Sequence, residues 1–311
     1  MPSYSGVWNL VSQYQAVGSG NWPEILSGQV GVFGGMGNTN SIEYVYISSA
    51  GNAKDFGDLL VKPYSGGAVS SSTRGVFAGA FPASNVLQYI TISTKSNSTD
   101  FGDLTVAGYG LGSASNETRG VFGGRETDTG ISGTIDYITI ATTGNAANFG
   151  SLSQSRGSDG GTCSTTRACF AGGTTGSVDV NTIDYVTIAS TGSAVDFGDL
   201  TQSRRNLGAS IVSSGTRGLF AGGYNFGNQA TIDYITIATT GNAVSFGSLT
   251  GGLDGQVGAC SSTTRALFAG ASANNTIVYA TIASTGDTTD FGDLLTAGTG
   301  GPALSNCHGG L

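Results

Sequence analysis

An apolar residue, a phenylalanine, a glycine or alanine and then a glycine recur in that order six times along the chain. The copies are Val32-Phe33-Gly34-Gly35, Val76-Phe77-Ala78-Gly79, Val121-Phe122-Gly123-Gly124, Cys169-Phe170-Ala171-Gly172, Leu219-Phe220-Ala221-Gly222 and Leu267-Phe268-Ala269-Gly270. Successive phenylalanines are 44, 45, 48, 50 and 48 residues apart. That period suits the blades of a β-propeller and is too long for ankyrin or leucine-rich repeats. Each copy is followed by an alternating run such as Thr134-Ile135-Asp136-Tyr137-Ile138-Thr139-Ile140, whose period of two sends side chains to opposite faces of a strand. A Thr-Gly-Asn-Ala turn comes next (Thr143 to Ala146, Thr240 to Ala243), then a short Phe-Gly-Asp/Ser-Leu element, the first at Phe56 and the last at Phe291. Ahead of every unit but the first lies a run of small residues ending in Thr-Arg, which suits a strand crowded around a central axis.

Four strands per unit, joined as an antiparallel meander from the axis outwards, account for this order. Composition agrees: 53 glycines in 311 residues, 10% charged residues, 14 Phe and 12 Tyr make a turn-rich chain with β-favouring side chains and few helix formers. The first unit lacks an innermost strand, whereas residues 302–306 supply one that no later unit uses. Six complete blades follow only if the two ends meet. The expected fold is all-β, a six-bladed β-propeller over 28–311 closed by a C-terminal innermost strand, with a short N-terminal arm at 1–27. Within the arm, Val7, Leu10, Val11, Tyr14 and Val17 share one helical face. Trp8 and Trp22, the two tryptophans of the chain, join Leu10 and Tyr14 as candidate residues of an assembly interface, the alternative being a cap packed on the propeller.

The apolar strand ending in double glycine, the following strand with a central Tyr, and Leu152-Ser153-Gln154-Ser155-Arg156 with Leu200-Thr201-Gln202-Ser203-Arg204 resemble kelch repeats, with Phe standing where kelch has Trp. More narrowly, tandem Thr-Arg-Gly-apolar-Phe-Ala-Gly-Gly with Ile-Asp-Tyr-Ile-Thr-Ile-Ala-Thr-Thr-Gly-Asn-Ala and Phe-Gly-Asp-Leu is similar to structural proteins of marine tailed bacteriophages. The opening Ser5-Gly6-Val7-Trp8-Asn9-Leu10 with Gly20-Asn21-Trp22-Pro23 is similar to segments of the same proteins. The resemblance implies a kelch-like virion component, a tail fibre, tail appendage or head decoration. It would dock on other virion proteins through the arm, be present in several copies or as a homo-oligomer, and meet a host glycan or receptor through its loops. A lectin-type propeller with no virion is the alternative.

Other chemistry is scarce. Net charge is −8 and three lysines stand beside nine arginines, which argues against a nucleic-acid partner. No apolar run is long enough to span a membrane. Four Asp-Phe-Gly triplets lack the other elements of a kinase. The Asp-Phe-Gly-Asp segments could hold calcium, but Asn148 with Ser151 and Ser245 with Ser248 replace both acids in two units, so turn closure is the better expectation. A single histidine, His308, starves metal and triad arrangements and reads as an end-packing group. The expectation is a non-enzyme with neither cofactor nor metal. The repeated Arg74, Arg119, Arg167, Arg217 and Arg265 are expected to pair with acids such as Asp136, Asp184 and Asp233. Loops between the second and third strands vary most among units and are the expected carriers of specificity. The candidate receptor or glycan residues there are Arg125, Glu126, Asp128, Tyr224, Asn225, Phe226 and Asn228.

Overall fold

The computed structural model describes residues 25–311 apart from 209–210, 254 and 272–273, together with Val11 and Gln15. Six antiparallel sheets form the blades of a propeller. Blade 1 draws on both ends of the chain, with Ala303–Ser305 innermost, then Val30–Gly34, Ser41–Tyr46 and Lys54–Asp58. Blade 2 comprises Gly67–Ser70, Arg74–Ala78, Ser84–Thr91 and Thr99–Gly108, and blade 3 Gly112–Ser115, Arg119–Thr127, Gly130–Thr139 and Ala147–Ser151. Blade 4 runs Gly160–Cys163, Arg167–Ala171, Thr182–Thr187 and Val195–Asp199, and blade 6 Gly258–Ser261, Arg265–Ala271, Asn274–Thr281 and Thr289–Asp293. In blade 5 the strands Arg217–Ala221, Thr231–Thr236 and Val244–Ser248 are flanked on the axial side by 211–213, where Leu219 N donates to Val212 O at 3.0 Å.

Closure occurs as the ends of the sequence require. Gly31, Val32 and Phe33 pair with Ser305, Leu304 and Ala303. The Asn306 side chain extends the seam, accepting from Val30 N and donating to Gly28 O, both at 2.9 Å. The arm also touches this region: Leu26 is buried, and its N–H donates to Ser93 O at 2.8 Å. Val11 and Gln15 are helical, while the candidate interface residues Trp8, Leu10, Tyr14 and Trp22 lie outside the described residues.

The core lies between neighbouring blades, which explains the Phe-small-Gly motif. The Phe77 ring packs against Gly34 of the preceding blade, and Phe170 against Gly123, so closely that a Cβ on either glycine would fall 2.8–2.9 Å from the ring. Each third-strand Tyr meets the outer-strand Phe of its own blade edge to face, as Tyr137 meets Phe149 at 5.9 Å and Tyr234 meets Phe246 at 6.2 Å. Such pairs contribute about 0.5–1.5 kcal/mol each beyond the area they bury.

Backbone bonds stitch the blades together at the rim. The turn after each third strand lies along the outermost strand of the preceding blade, so that Gly144 N donates to Phe101 O (2.7 Å) and Ala146 N to Asp103 O (2.8 Å), and Gly51 N and Ala53 N do the same to Phe291 O and Asp293 O. The Asn of the turn completes the contact, Asn145 Oδ1 accepting from Asp103 N at 3.1 Å and Asn242 Oδ1 from Asp199 N at 3.1 Å. Gly198 in the Phe-Gly-Asp element has φ 144°, and a Cβ there would lie 2.5 Å from Gly241 O. Glycine is therefore required by the stitch itself.

The Thr-Arg arginines do not pair with Asp136, Asp184 or Asp233. Arg74, Arg119, Arg167, Arg217 and Arg265 lie over the Tyr ring of their own blade at 4.2–4.6 Å and donate to a carbonyl of the next blade, Arg119 to Ile188 O at 2.8 Å and Arg265 to Ile47 O at 2.8 Å. The tyrosine two residues from each strand end offers a π face within reach, and this satisfies the guanidinium without an acid. The three aspartates instead pair with buried arginines: Arg125 with Asp136 at 3.0 Å, Arg156 with Asp184 at 2.7 Å and Arg204 with Asp233 at 2.9 Å, all six side chains fully buried. Each aspartate also accepts two bonds from the residue just after the preceding blade's Phe-Gly-Asp/Ser-Leu element, as Asp184 does from Ser153 N (3.0 Å) and Oγ (2.6 Å). The pair thus latches one blade to the next. Glu43 occupies the corresponding place in blade 1, accepting from Leu295 N and Thr296 N at 2.6 and 2.9 Å, and burial raises its pKa.

Near the axis, innermost-strand hydroxyls donate to the preceding blade: Ser70 Oγ to Ser305 O, Ser115 Oγ to Ser70 O and Ser305 Oγ to Ser261 O, at 2.5–2.8 Å. The chain beyond the closing strand turns into this ring. His308 is buried, with Nδ1 accepting from Gly310 N at 3.1 Å and Nε2 3.3 Å from Ser115 Oγ. It is an end-packing group, and burial pulls its pKa down to about 4.

Candidate binding face

The turns between third and fourth strands make the stitching contacts and share one face of the disc with the turns between first and second strands. The other face carries the two remaining sets of loops, those between second and third strands and those that enter each innermost strand. The first set contains most of the variation among units, and a rigid scaffold beneath variable loops is the usual arrangement for recognition.

A depression of about 580 Å³ lies between the loops of blades 4 and 5, lined by Val178, Asp179, Arg205, Tyr224 and Phe226 among others. Arg205 stands over the Tyr224 ring at 5.0 Å and pairs with Asp179 at 3.2 Å, so its charge is compensated and its plane fixed. The loop is tied from below by Gln229 Nε2, which donates to Asn225 O at 3.3 Å and Gly227 O at 3.0 Å. At its tip Phe226 has φ 52° and a relative exposure of 101%, and Val178 across the depression is 61% exposed. Both properties of Phe226 are unfavourable in the unbound protein, since a non-glycine residue in the left-handed region is strained and an exposed ring forfeits burial. Asn228 is exposed and pairs back to Tyr224 through an isolated bridge.

The blade 3 residues are placed differently. Arg125 to Thr127 are not loop but the end of an extended strand, with Arg125 opposite Ser132 and Glu126 opposite Ile131, so the turn shrinks to 127–130 and Asp128 is exposed at its tip. The Arg125 side chain is 0% exposed and belongs to the latch with Asp136, where burial lowers its pKa and Asp136 works against that. It therefore presents nothing to a ligand on this face. Glu126 accepts from Ser158 Oγ and, at 3.3 Å, from Tyr109 Oη, which puts it at the axis and away from the Tyr224 loop. Sequence reasoning missed the residues that surround it there: Tyr64, Ser65, Tyr109, Ser158, Asn206 and Gln256 sit in the loops entering the innermost strands. The signal was a polar or glycine residue at one fixed offset before each innermost strand.

Among the described residues no group of three His, Cys, Asp or Glu side chains could hold a metal ion, and no helix is long and apolar enough to cross a membrane. Cys163, Cys169 and Cys260 are buried free thiols whose pKa values burial raises, that of Cys163 to about 12. No protein-family model matches the sequence, and no curated protein matches it.

Proposed function

We propose that this propeller is a non-enzymatic adhesion module of a tailed-phage particle, kelch-like in its repeats, which presents the loop-bearing face to a host surface and attaches to other virion proteins through its arm. The observation that carries the adhesion part is Phe226, a fully exposed aromatic ring held in a strained conformation at the lip of a depression on an otherwise tightly satisfied scaffold. Strain of this kind persists where surroundings over-determine it and concentrates at ligand clamps. The resemblance of the tandem repeats and of the arm to phage structural proteins supports the virion part.

The test is fractionation of virus particles from the source culture, followed by mass spectrometry and by adsorption in the presence of purified protein. The protein should band with particles, and excess free protein should block adsorption, whereas Tyr224→Ala with Phe226→Ser should not block. Absence from particles would leave an adhesion protein unattached to a virion, the lectin-type alternative. Failure of the unaltered protein to compete would remove the adhesion role.

A further inference from the structure

Around the axis on the loop-bearing face, the segments entering the innermost strands bond head to tail. Ser65 N donates to Gly300 O (2.7 Å), Gly110 N to Ser65 O (2.6 Å), Ser158 N to Gly110 O (2.7 Å) and Asn206 N to Ser158 O (2.8 Å). All five have left-handed backbones: φ is 83° at Gly300, 55° at Ser65, 64° at Gly110, 57° at Ser158 and 55° at Asn206. Glycine is the residue such a position favours, and two of the five use it. Ser65, Ser158 and Asn206 keep side chains there despite the backbone cost, and all three line one depression of about 440 Å³ at the axial mouth. That size falls within the range of about 300–1,000 Å³ usual for small-molecule sites.

The mouth has two unlike halves. Tyr64, Phe81 and Tyr109 form one wall, with edge-to-face contacts of 6.4 Å and 5.0 Å, and Phe81 is 52% exposed. The same lining carries the hydroxyl and amide groups of Ser65, Ser158, Asn206 and Gln256, with the Gln256 amide reaching Ser65 Oγ at 3.3 Å, and the Glu126 carboxylate. An exposed aromatic face beside a fan of short donors and acceptors is complementary to a ring that is apolar on its C–H face and hydroxylated around its edge.

We infer that the axial mouth is a binding site for a neutral sugar ring, which packs on Phe81 and exchanges hydrogen bonds with Ser65, Ser158, Asn206, Gln256 and Glu126. Glu126 disfavours sugar acids, because a ligand carboxylate would face it at close range, while Arg205, the cation of the same lining, is already paired with Asp179 at 3.2 Å. This site adjoins the Phe226 depression at Arg205, which lines both, but draws its aromatic wall from Phe81 and does not depend on the virion assignment.

Saturation-transfer NMR of the full-length protein with the methyl glycosides of glucose, galactose, mannose, N-acetylglucosamine and glucuronic acid at millimolar concentration tests the inference. At least one neutral glycoside should receive saturation at its ring protons, and glucuronide should receive none. Asn206→Gly should weaken that binding at least tenfold while leaving the melting temperature unchanged or higher, because glycine relieves the left-handed strain. Phe81→Ser should also abolish it, and Phe226→Ser should leave it intact. The inference is overturned if no neutral glycoside binds, if only the glucuronide binds, or if Asn206→Gly binds as the unaltered protein does.

Discussion

The Cδ of Arg125 fills the space that a side chain on Gly108 would need, lying 2.9 Å from where a Cβ on that glycine would stand. In the next two blades the arrangement is exchanged, for Arg156 and Arg204 come from the segment that holds Gly108, and Gly173 and Gly223 stand where blade 3 has Arg125. One buried cation therefore latches each of these blades to its predecessor, and two different strands can deliver it.

Arg125→Ala should destabilise the protein by about 3–5 kcal/mol, since it strands Asp136 in a buried site. Adding Gly108→Arg to Arg125→Gly should recover part of the loss by rebuilding the blade 4 arrangement in blade 3, the remainder being the approach of a Cβ at 108 to Glu126 O, 2.6 Å away. Urea unfolding of the two variants checks this, and a double variant no more stable than Arg125→Gly alone would refute the equivalence.

Removing residues 302–311 should open the ring, because blade 1 loses its innermost strand and Val30–Gly34 becomes a free edge. Aggregation or loss of a cooperative melt is expected by gel filtration and calorimetry. Removing 307–311 alone spares the seam at Ala303–Ser305 and should leave a monomeric, cooperatively melting disc.

Gly198→Ala should cost about 1–3 kcal/mol through backbone strain at φ 144°, in addition to the clash with Gly241 O. Gly144→Ala has a similar φ of 152° but nothing within 4 Å of its Cβ, so it should cost less. Equal losses in thermal melts would show that the stitch between blades adds nothing to the strain.

Two buried groups give stability an opposed dependence on pH. Asp159 sits where the neighbouring blades place Leu111 and Leu207, its Oδ1 accepts from Gly112 N at 3.1 Å, and burial pushes its pKa up to about 8, with Arg156 acting in the other direction. The folded protein then binds the extra proton, so stability falls as pH rises from about 4, the unfolded value, to about 8. For His308, pulled down to about 4, the unfolded chain binds the extra proton below pH 6.5, and stability falls as pH drops from there towards 4. Between pH 6.5 and 8 only the Asp159 effect should remain. Asp159→Leu should flatten that stretch and raise the melting temperature most at pH 8; an unchanged slope would mean that Asp159 does not titrate there.

The blades and their closure were legible because a repeated backbone unit imposes its period on every copy, and because an unmatched innermost strand at one end answers a missing one at the other. The latches were not, although Asp184 and Arg156 belong to repeated segments. Their partners are 28 residues apart on adjacent blades, and in blade 3 the cation moves to another strand. The Thr-Arg arginines looked in need of acids because sequence alone does not reveal that Tyr137 or Tyr185 lies beneath each guanidinium. Tyr224 and Phe226 could be picked out from their variable loop, whereas the axial mouth is assembled from five blades, and no local stretch of sequence displays it.

Every outermost strand of this disc has its edge occupied by main-chain donors from the following blade. A free sheet edge is the simplest handle by which one protein sticks to its copies, and among the described residues the perimeter offers none. Discs crowded side by side would have to recognise each other through side chains at the rim. Any lateral contact between discs would then be set by chemistry that single substitutions can adjust, and the same occupied perimeter works against growth of free discs into fibres.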